Sequence, residues 1–145
     1  SPRYSLATVP YGSDAAQNVV NDAVSGLQWR RCLQGQTWNG SACTGTLEVY
    51  NHRGALAAQE TVNGGSGNAW RLPNVREARS MLEINHAPPY LNALFPAPTM
   101  DATWTTTADV SDPLNRAYLL NTQNGDVYAN QRSDFFPVRL VRISP

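Results

Sequence analysis

AWRLPNVREARSMLEIN, Ala69 to Asn85, carries the firmest local signal in the chain. Ala69 to Leu72 read as a short strand, and Pro73 then ends the extended run. Asn74 followed three positions later by Glu77 is a capping-box pattern, in which each side chain satisfies a backbone N–H at the start of a helix. The expected helix runs to about Glu83. Val75, Ala78 and Leu82 share its inward face, while Arg76, Arg79 and Glu83 lie away from it.

Upstream, TLEVYNHRGALAAQETVNGGSG opens with a β-favouring stretch, and Asn51 can cap a second helix carrying Ala55, Leu56, Ala58 and Gln59, ended by Gly64-Gly65-Ser66-Gly67. Downstream, HAPPYLNALFPAPTMDA holds four prolines, which exclude a regular helix or central strand and demand a long loop from about Asn85 to Thr103. Tyr90, Leu91, Leu94 and Phe95 are its expected anchors. The last third reads as β. ATWTTTADV is one strand, and AYLLNTQ and DVYAN form a pair joined by Asn124-Gly125, the dipeptide favoured in two-residue hairpin turns. DVSDPLNR between them is a loop. PVRLVRIS closes the chain as a strand, with Arg139 and Arg142 interrupting its apolar face. Near the other end, NVVND and LQWRRC are extended runs separated by the turn pair Ser25-Gly26. The whole is an α+β pattern: two helices, a mostly antiparallel set of short strands, and long loops. One domain over residues 18–145 is expected, preceded by an amino-terminal strand or tether over residues 1–17.

At 145 residues the chain can bury about 70% of its unfolded surface, enough for one core. Eleven basic residues, all arginine, balance eleven acidic ones, so an electrostatic nucleic-acid binder is not expected. No apolar run approaches the roughly 20 residues of a membrane-spanning helix, and SPRYSLATVP lacks a signal-peptide core, so a soluble or already processed piece is expected. Cys32 and Cys43 bracket LQGQTWNGSA, whose composition reads as irregular chain. A local disulfide is the natural reading, contributing on the order of 3 kcal/mol by loop closure and pointing to an oxidising compartment. Two free buried thiols are the alternative. A zinc site is disfavoured, since His52 and His86 make no paired-ligand spacing with the cysteines.

In order, GLQWRRC, GQTWNGSACTGT, the alanine-rich helix, WRLPNVREARS, LFP, the Trp104 strand and VRLVR resemble the exported bacterial domain family typified by the C-terminal domain of the Lcl collagen-like adhesin, over about Val20 to Arg142. The resemblance implies a C-type-lectin-like fold and an extracellular or cell-surface adhesion module. The family is associated with sulfated glycosaminoglycans, which would need a basic surface. Departures are conservative: Glu77-Ala78 where members often have Glu-Leu, and Thr105 to Thr107 in place of a serine-rich strand. The Glu-Pro-Asn, Gln-Pro-Asp and Trp-Asn-Asp triplets of calcium-dependent lectins are absent, so no cofactor is expected, and calcium is left open without a motif for it.

Candidate ligand-binding residues are Trp104, Asp109, Asp112, Asn115, Arg116 and Tyr118. Asp109, Asp112 and Asn115 put oxygen ligands in one loop, though without the spacing of a known calcium loop, and Arg116 and Tyr118 follow directly. Turn formation is the competing reading. Arg71 and Glu77 read as a scaffold ion pair. Trp29, Trp70 and Trp104 sit in apolar or family-core contexts, which favours core packing over sugar stacking, and Trp38 is expected to be the most exposed tryptophan. Neither histidine sits beside a catalytic motif, so a non-enzymatic module is expected. Its ligand would be a glycan or cell-surface partner held by loops, and the competing expectation is a fibre, pilus or oligomer subunit that contacts copies of itself.

Overall fold

Among the described residues, nine short strands and two α-helices arise where local pattern and burial agree. The computed structural model describes residues 2–10, 15–63, 70–85, 87–98 and 100–144. β1 (Tyr4–Leu6), β2 (Val19–Asp22), β3 (Leu27–Arg30) and β9 (Val141–Ile143) form an antiparallel sheet in the order β1-β2-β3-β9. β6 (Ala102–Ala108), β7 (Arg116–Asn121) and β8 (Val127–Gln131) form a second, and β4 (Thr37–Trp38) pairs with β5 (Cys43–Thr44). α1 spans His52–Asn63 and α2 spans Val75–Ser80. The fold class is α+β.

The opening segment is a strand at Tyr4–Leu6, and it does more than extend the sheet. Arg3 grips the Asp22 carboxylate with two bonds of 2.8 Å and also reaches the Ser80 carbonyl, while the Tyr4 hydroxyl donates to the Met81 carbonyl at 2.7 Å. β1 thereby clamps the end of α2. Tyr11 to Asp14, within the expected tether, lie outside the described residues.

Both helices start on their anticipated caps. Asn51 Oδ1 accepts from Gly54 N at 2.7 Å. Asn74 Oδ1 accepts from Glu77 N at 2.8 Å, and Glu77 Oε1 accepts from Asn74 N at 2.9 Å. α2 stops earlier than Glu83 because its last turn tightens, with Met81 N and Leu82 N donating to Ala78 and Arg79 carbonyls, and because Glu83 N turns away to Tyr90 O at 2.8 Å. The Gly64–Gly67 stop of α1 lies outside the described residues, as do Ala69 and His86.

Several strand expectations change. The stretch from Ala69 reduces to one bridge, Arg71 to Val141, and TLEVY to one bridge, Tyr50 to Phe136. Arg71 exchanges two backbone bonds of 2.9 Å with Val141 of β9, and the next amide, Leu72 N, donates to Gln59 Oε1 of α1 at 2.9 Å, so one residue meets the sheet and the next meets the helix. The cysteine loop, expected to be irregular, contains the small β4–β5 hairpin, closed by the Cys32–Cys43 disulfide. Gly35 in this loop has φ +96°, and a Cβ there would lie 2.7 Å from Glu48 N. The β7–β8 turn has four residues rather than two. Asn121 N pairs with Asp126 O, Asn121 Oδ1 accepts from the amides of Gln123 and Asn124, and Gly125 takes φ +78°. Asparagine-led local bonding outcompetes the tight turn here.

α2 lies between the two larger sheets. Ala78 and Met81 pack with Val20, Trp29, Val141 and, from β7, Leu120. A second cluster joins Ala55 of α1 to Trp70, Leu72, Trp104 and Leu119. Trp29, Trp70 and Trp104 are each fully buried. Tyr4, Leu91 and Phe95 fix the proline-rich loop to the first cluster, as its sequence suggests. The closing strand hides its arginines, contrary to the expected interrupted face. Arg142 donates to Gln28 Oε1 at 2.7 Å and lies over Trp70, and Arg139 donates to the carbonyls of Arg30 and Arg31. Guanidinium groups tolerate such burial because their flat faces stack on rings while their edges donate.

Candidate functional site

Two regions hold the residues singled out in the sequence. The first is the loop from Asp109 to Arg116. Asp109 accepts from Ser111 N at 3.0 Å and Ser111 Oγ at 2.8 Å and lies 3.5 Å from Arg116 Nε. Those bonds from Ser111, with the Arg116 charge, hold the Asp109 carboxyl below its ordinary value. Asp112 accepts from Asn115 Nδ2 at 3.1 Å, and Arg116 Nη2 donates to Ala129 O at 2.8 Å. The structure therefore brings Asp109, Asp112, Asn115 and Arg116 together, but their polar groups are largely occupied by one another. Among the described residues no group of three or more His, Cys, Asp or Glu is placed to hold a metal ion.

Trp104 is withdrawn from the ligand surface. It is 0% exposed, its Nε1 donates to Tyr50 O at 2.7 Å, and its ring meets His52 and Phe136 edge-on. Trp38 is the most exposed of the four tryptophans, as expected, although it is half-buried with the Arg31 guanidinium 3.5 Å over its ring.

His52 anchors the same loop from below. It is 1% exposed, its Nε2 contacts Thr105 O at 2.8 Å, and Nδ1 lies 3.0 Å from Arg132 Nη2. Arg132 cannot accept, so Nδ1 accepts and Nε2–H donates to the carbonyl. Arg132 in turn donates to Pro113 O at 2.8 Å. Burial lowers the affinity of His52 for a second proton, the Thr105 carbonyl opposes that shift, and the Arg132 charge adds to it.

The second region is a groove of ≈ 740 Å³ between α2 and the outer face of the β7–β8 pair. Val75, Arg76, Arg79 and Ser80 form one wall, and Tyr118 and Val127 the other. Alternation along β7 puts Tyr118 on the face of Leu120, opposite Ala117 and Leu119 of the Trp104 cluster. Arg76 and Arg79 are exposed and make no ion pair among the described residues. The wall is rigidly placed. Arg71 binds Glu77 through two bonds of 2.7 Å, Val75 N donates to Thr107 Oγ1 at 3.0 Å, and β1 holds the far end. The Arg71 bonds lead in holding the Glu77 carboxyl below its ordinary value, against the opposing effect of burial.

Of the sequence candidates only Tyr118 lines this groove. Arg76 and Arg79 are exposed, on the side of α2 away from buried Ala78 as their spacing implies, and they line the groove with Tyr118 and Val127. Their helical i, i+3 spacing beside the cap was the available signal.

Fold and groove thus define an α+β domain with a rigid, arginine-lined recess and a disulfide-closed loop. The chain belongs to the Lcl C-terminal domain family, whose pattern it matches over residues 18–142. No curated protein matches the chain.

Proposed function

We propose that this domain is an extracellular, non-catalytic adhesion module that holds an acidic glycan in the groove between α2 and β7–β8. The observation that carries the reading is the pair Arg76 and Arg79, exposed and without acidic partners among the described residues, in one recess with Tyr118. Guanidinium groups bind sulfate or carboxylate oxygens, and an aromatic face stacks on a sugar ring. The groove volume lies within the roughly 300–1,000 Å³ of small-ligand sites. The family's link to adhesion supports this reading, and the Cys32–Cys43 bridge supports export. The order of motifs along the chain supports a C-type-lectin-like relationship. His52 spends both ring nitrogens on structural contacts, which suits a module that binds without chemistry.

Titration calorimetry with a sulfated glycosaminoglycan tetrasaccharide tests this. Arg76→Gln and Arg79→Gln are each expected to weaken binding about 10-fold or more, the value of a charge-assisted hydrogen bond. Equal affinity in the double variant refutes the groove. Val110 and Leu114 are 88% and 85% exposed on one loop, which favours self-association as a second reading. Sedimentation that shows a concentration-dependent oligomer, abolished by Val110→Asp with Leu114→Asp, would favour it over glycan binding.

A further inference from the structure

Away from the groove, Arg31 and Arg139 present an electrostatic problem. They are 8% and 4% exposed, yet neither meets a carboxylate among the described residues. Their protein acceptors are neutral carbonyls: Leu94 O and Gln17 O for Arg31, at 2.8 and 3.2 Å, and Arg30 O and Arg31 O for Arg139, at 3.1 and 2.7 Å. The Arg31 guanidinium carbon lies 3.5 Å from the Trp38 ring centroid, and that of Arg139 lies 5.1 Å from the Phe95 centroid. Arg139 Nε and Nη2 and Arg31 Nη2 have no acceptor among the described residues. These three nitrogens are not sealed from solvent, so a small anion can reach two neighbouring cations that have no carboxylate among the described residues.

A route for one exists. Both arginines line a single cavity of ≈ 140 Å³ between the disulfide and the proline-rich loop, where Leu33, Pro96, Ala97 and Pro98 supply an apolar wall. A cavity of about 150 Å³ can hold benzene, so this volume admits a ligand of up to about six heavy atoms.

We propose that this cavity binds a small monocarboxylate of acetate size, its oxygens on the Arg31 and Arg139 guanidinium groups and its short carbon tail against the proline wall. A planar carboxylate matches the guanidinium fork and leaves its other end apolar. Sulfate has a similar number of atoms but carries oxygen on every side, so the apolar wall would leave some of them without donors. Benzoate, with nine heavy atoms, exceeds the space. Burial lowers the pKa of both arginines, Arg139 to about 10, and a bound anion would oppose that shift. The cavity shares no lining residue with the α2 groove, so failure here leaves the glycan reading untouched.

The test is thermal unfolding of the whole chain at pH 7 and constant ionic strength, with sodium acetate, benzoate, sulfate or chloride. Acetate is expected to raise Tm by about 3–6 °C per tenfold concentration above its dissociation constant. Benzoate, sulfate and chloride should do less. Arg31→Met keeps the packing on Trp38 and removes the charge. Ala97→Phe, at an exposed position, fills the cavity and leaves both arginines in place. The acetate response should vanish in both variants. A response that survives in either variant, a larger response to sulfate, or an acetate response equal to that of chloride would overturn the proposal.

Discussion

Glu77→Ala removes two things at once, and their sum can be worked from the geometry. The carboxylate accepts from Asn74 N at 2.9 Å, half of the capping box, and losing a cap costs about 1 kcal/mol. It also binds Arg71 through two bonds of 2.7 Å, but the side chains of Arg71 and Glu77 are 36% and 19% exposed, so solvent screening limits this pair to roughly 1 kcal/mol. The expected loss is therefore about 2 kcal/mol, which for a chain of 145 residues lowers Tm by about 4–8 °C. Glu77→Gln keeps an acceptor for Asn74 N and loses the charge, so about half the loss is expected. Urea denaturation followed by far-ultraviolet circular dichroism gives both values, and a double-mutant cycle with Arg71→Met isolates the pair, with a coupling of about 0.5–1 kcal/mol. A Glu77→Ala protein within 0.3 kcal/mol of wild type would refute the claim that this joint fixes the groove wall.

The remaining predictions concern pH, covalent closure and the core. His52 is harder to protonate when folded than when unfolded, so the unfolded state binds more protons below its ordinary pKa of 6.5; stability should fall as pH drops beneath that value, and His52→Gln should flatten the slope in pH-dependent urea titrations. Asp22 acts in the carboxylate range: burial opposes its ionisation, but Arg3, Ser25 and Val24 N outweigh it and lower the pKa, so Asp22→Asn should remove stability above that range and leave the strongly acid end unchanged. Reducing Cys32–Cys43, eleven residues apart, should lower Tm by about 6–12 °C, from a loop-closure value of about 3 kcal/mol, as differential scanning calorimetry with and without reductant would show. Trp104→Ala should cost about 3–5 kcal/mol, because a fully buried ring and its bond to Tyr50 are lost together; a stable variant with impaired glycan binding would return Trp104 to the ligand surface.

What the sequence displayed well was local chemistry. Asn51, Asn74 and Glu77 announce helix starts because side chain and backbone partner lie within four residues of each other, and the two cysteines, eleven residues apart, announce a closed loop because the chain between them is polar and turn-forming. The hairpin was legible but its turn was not, since Asn121 bonds two amides inside it while Thr122 is held by Asp101. Arginine misled most. Arg139 and Arg142 break an apolar pattern on paper, yet Phe95, Trp70 and carbonyls from residues about 100 positions away make their burial tolerable. The groove was illegible for the reason that it joins Arg76 and Arg79 to Tyr118 and Val127, which only the packing of α2 on β7 brings together. Loop residues such as Asp109 looked available because their polar atoms carry no sequence mark of being already engaged.

The most direct measurement of the central claim is amide chemical-shift mapping of the ¹⁵N-labelled chain titrated with a sulfated glycosaminoglycan tetrasaccharide. Shifts concentrated at Val75, Arg76, Arg79, Ser80, Tyr118 and Val127 are the predicted result. Saturable shifts confined to other faces, with those six amides unmoved, would contradict it.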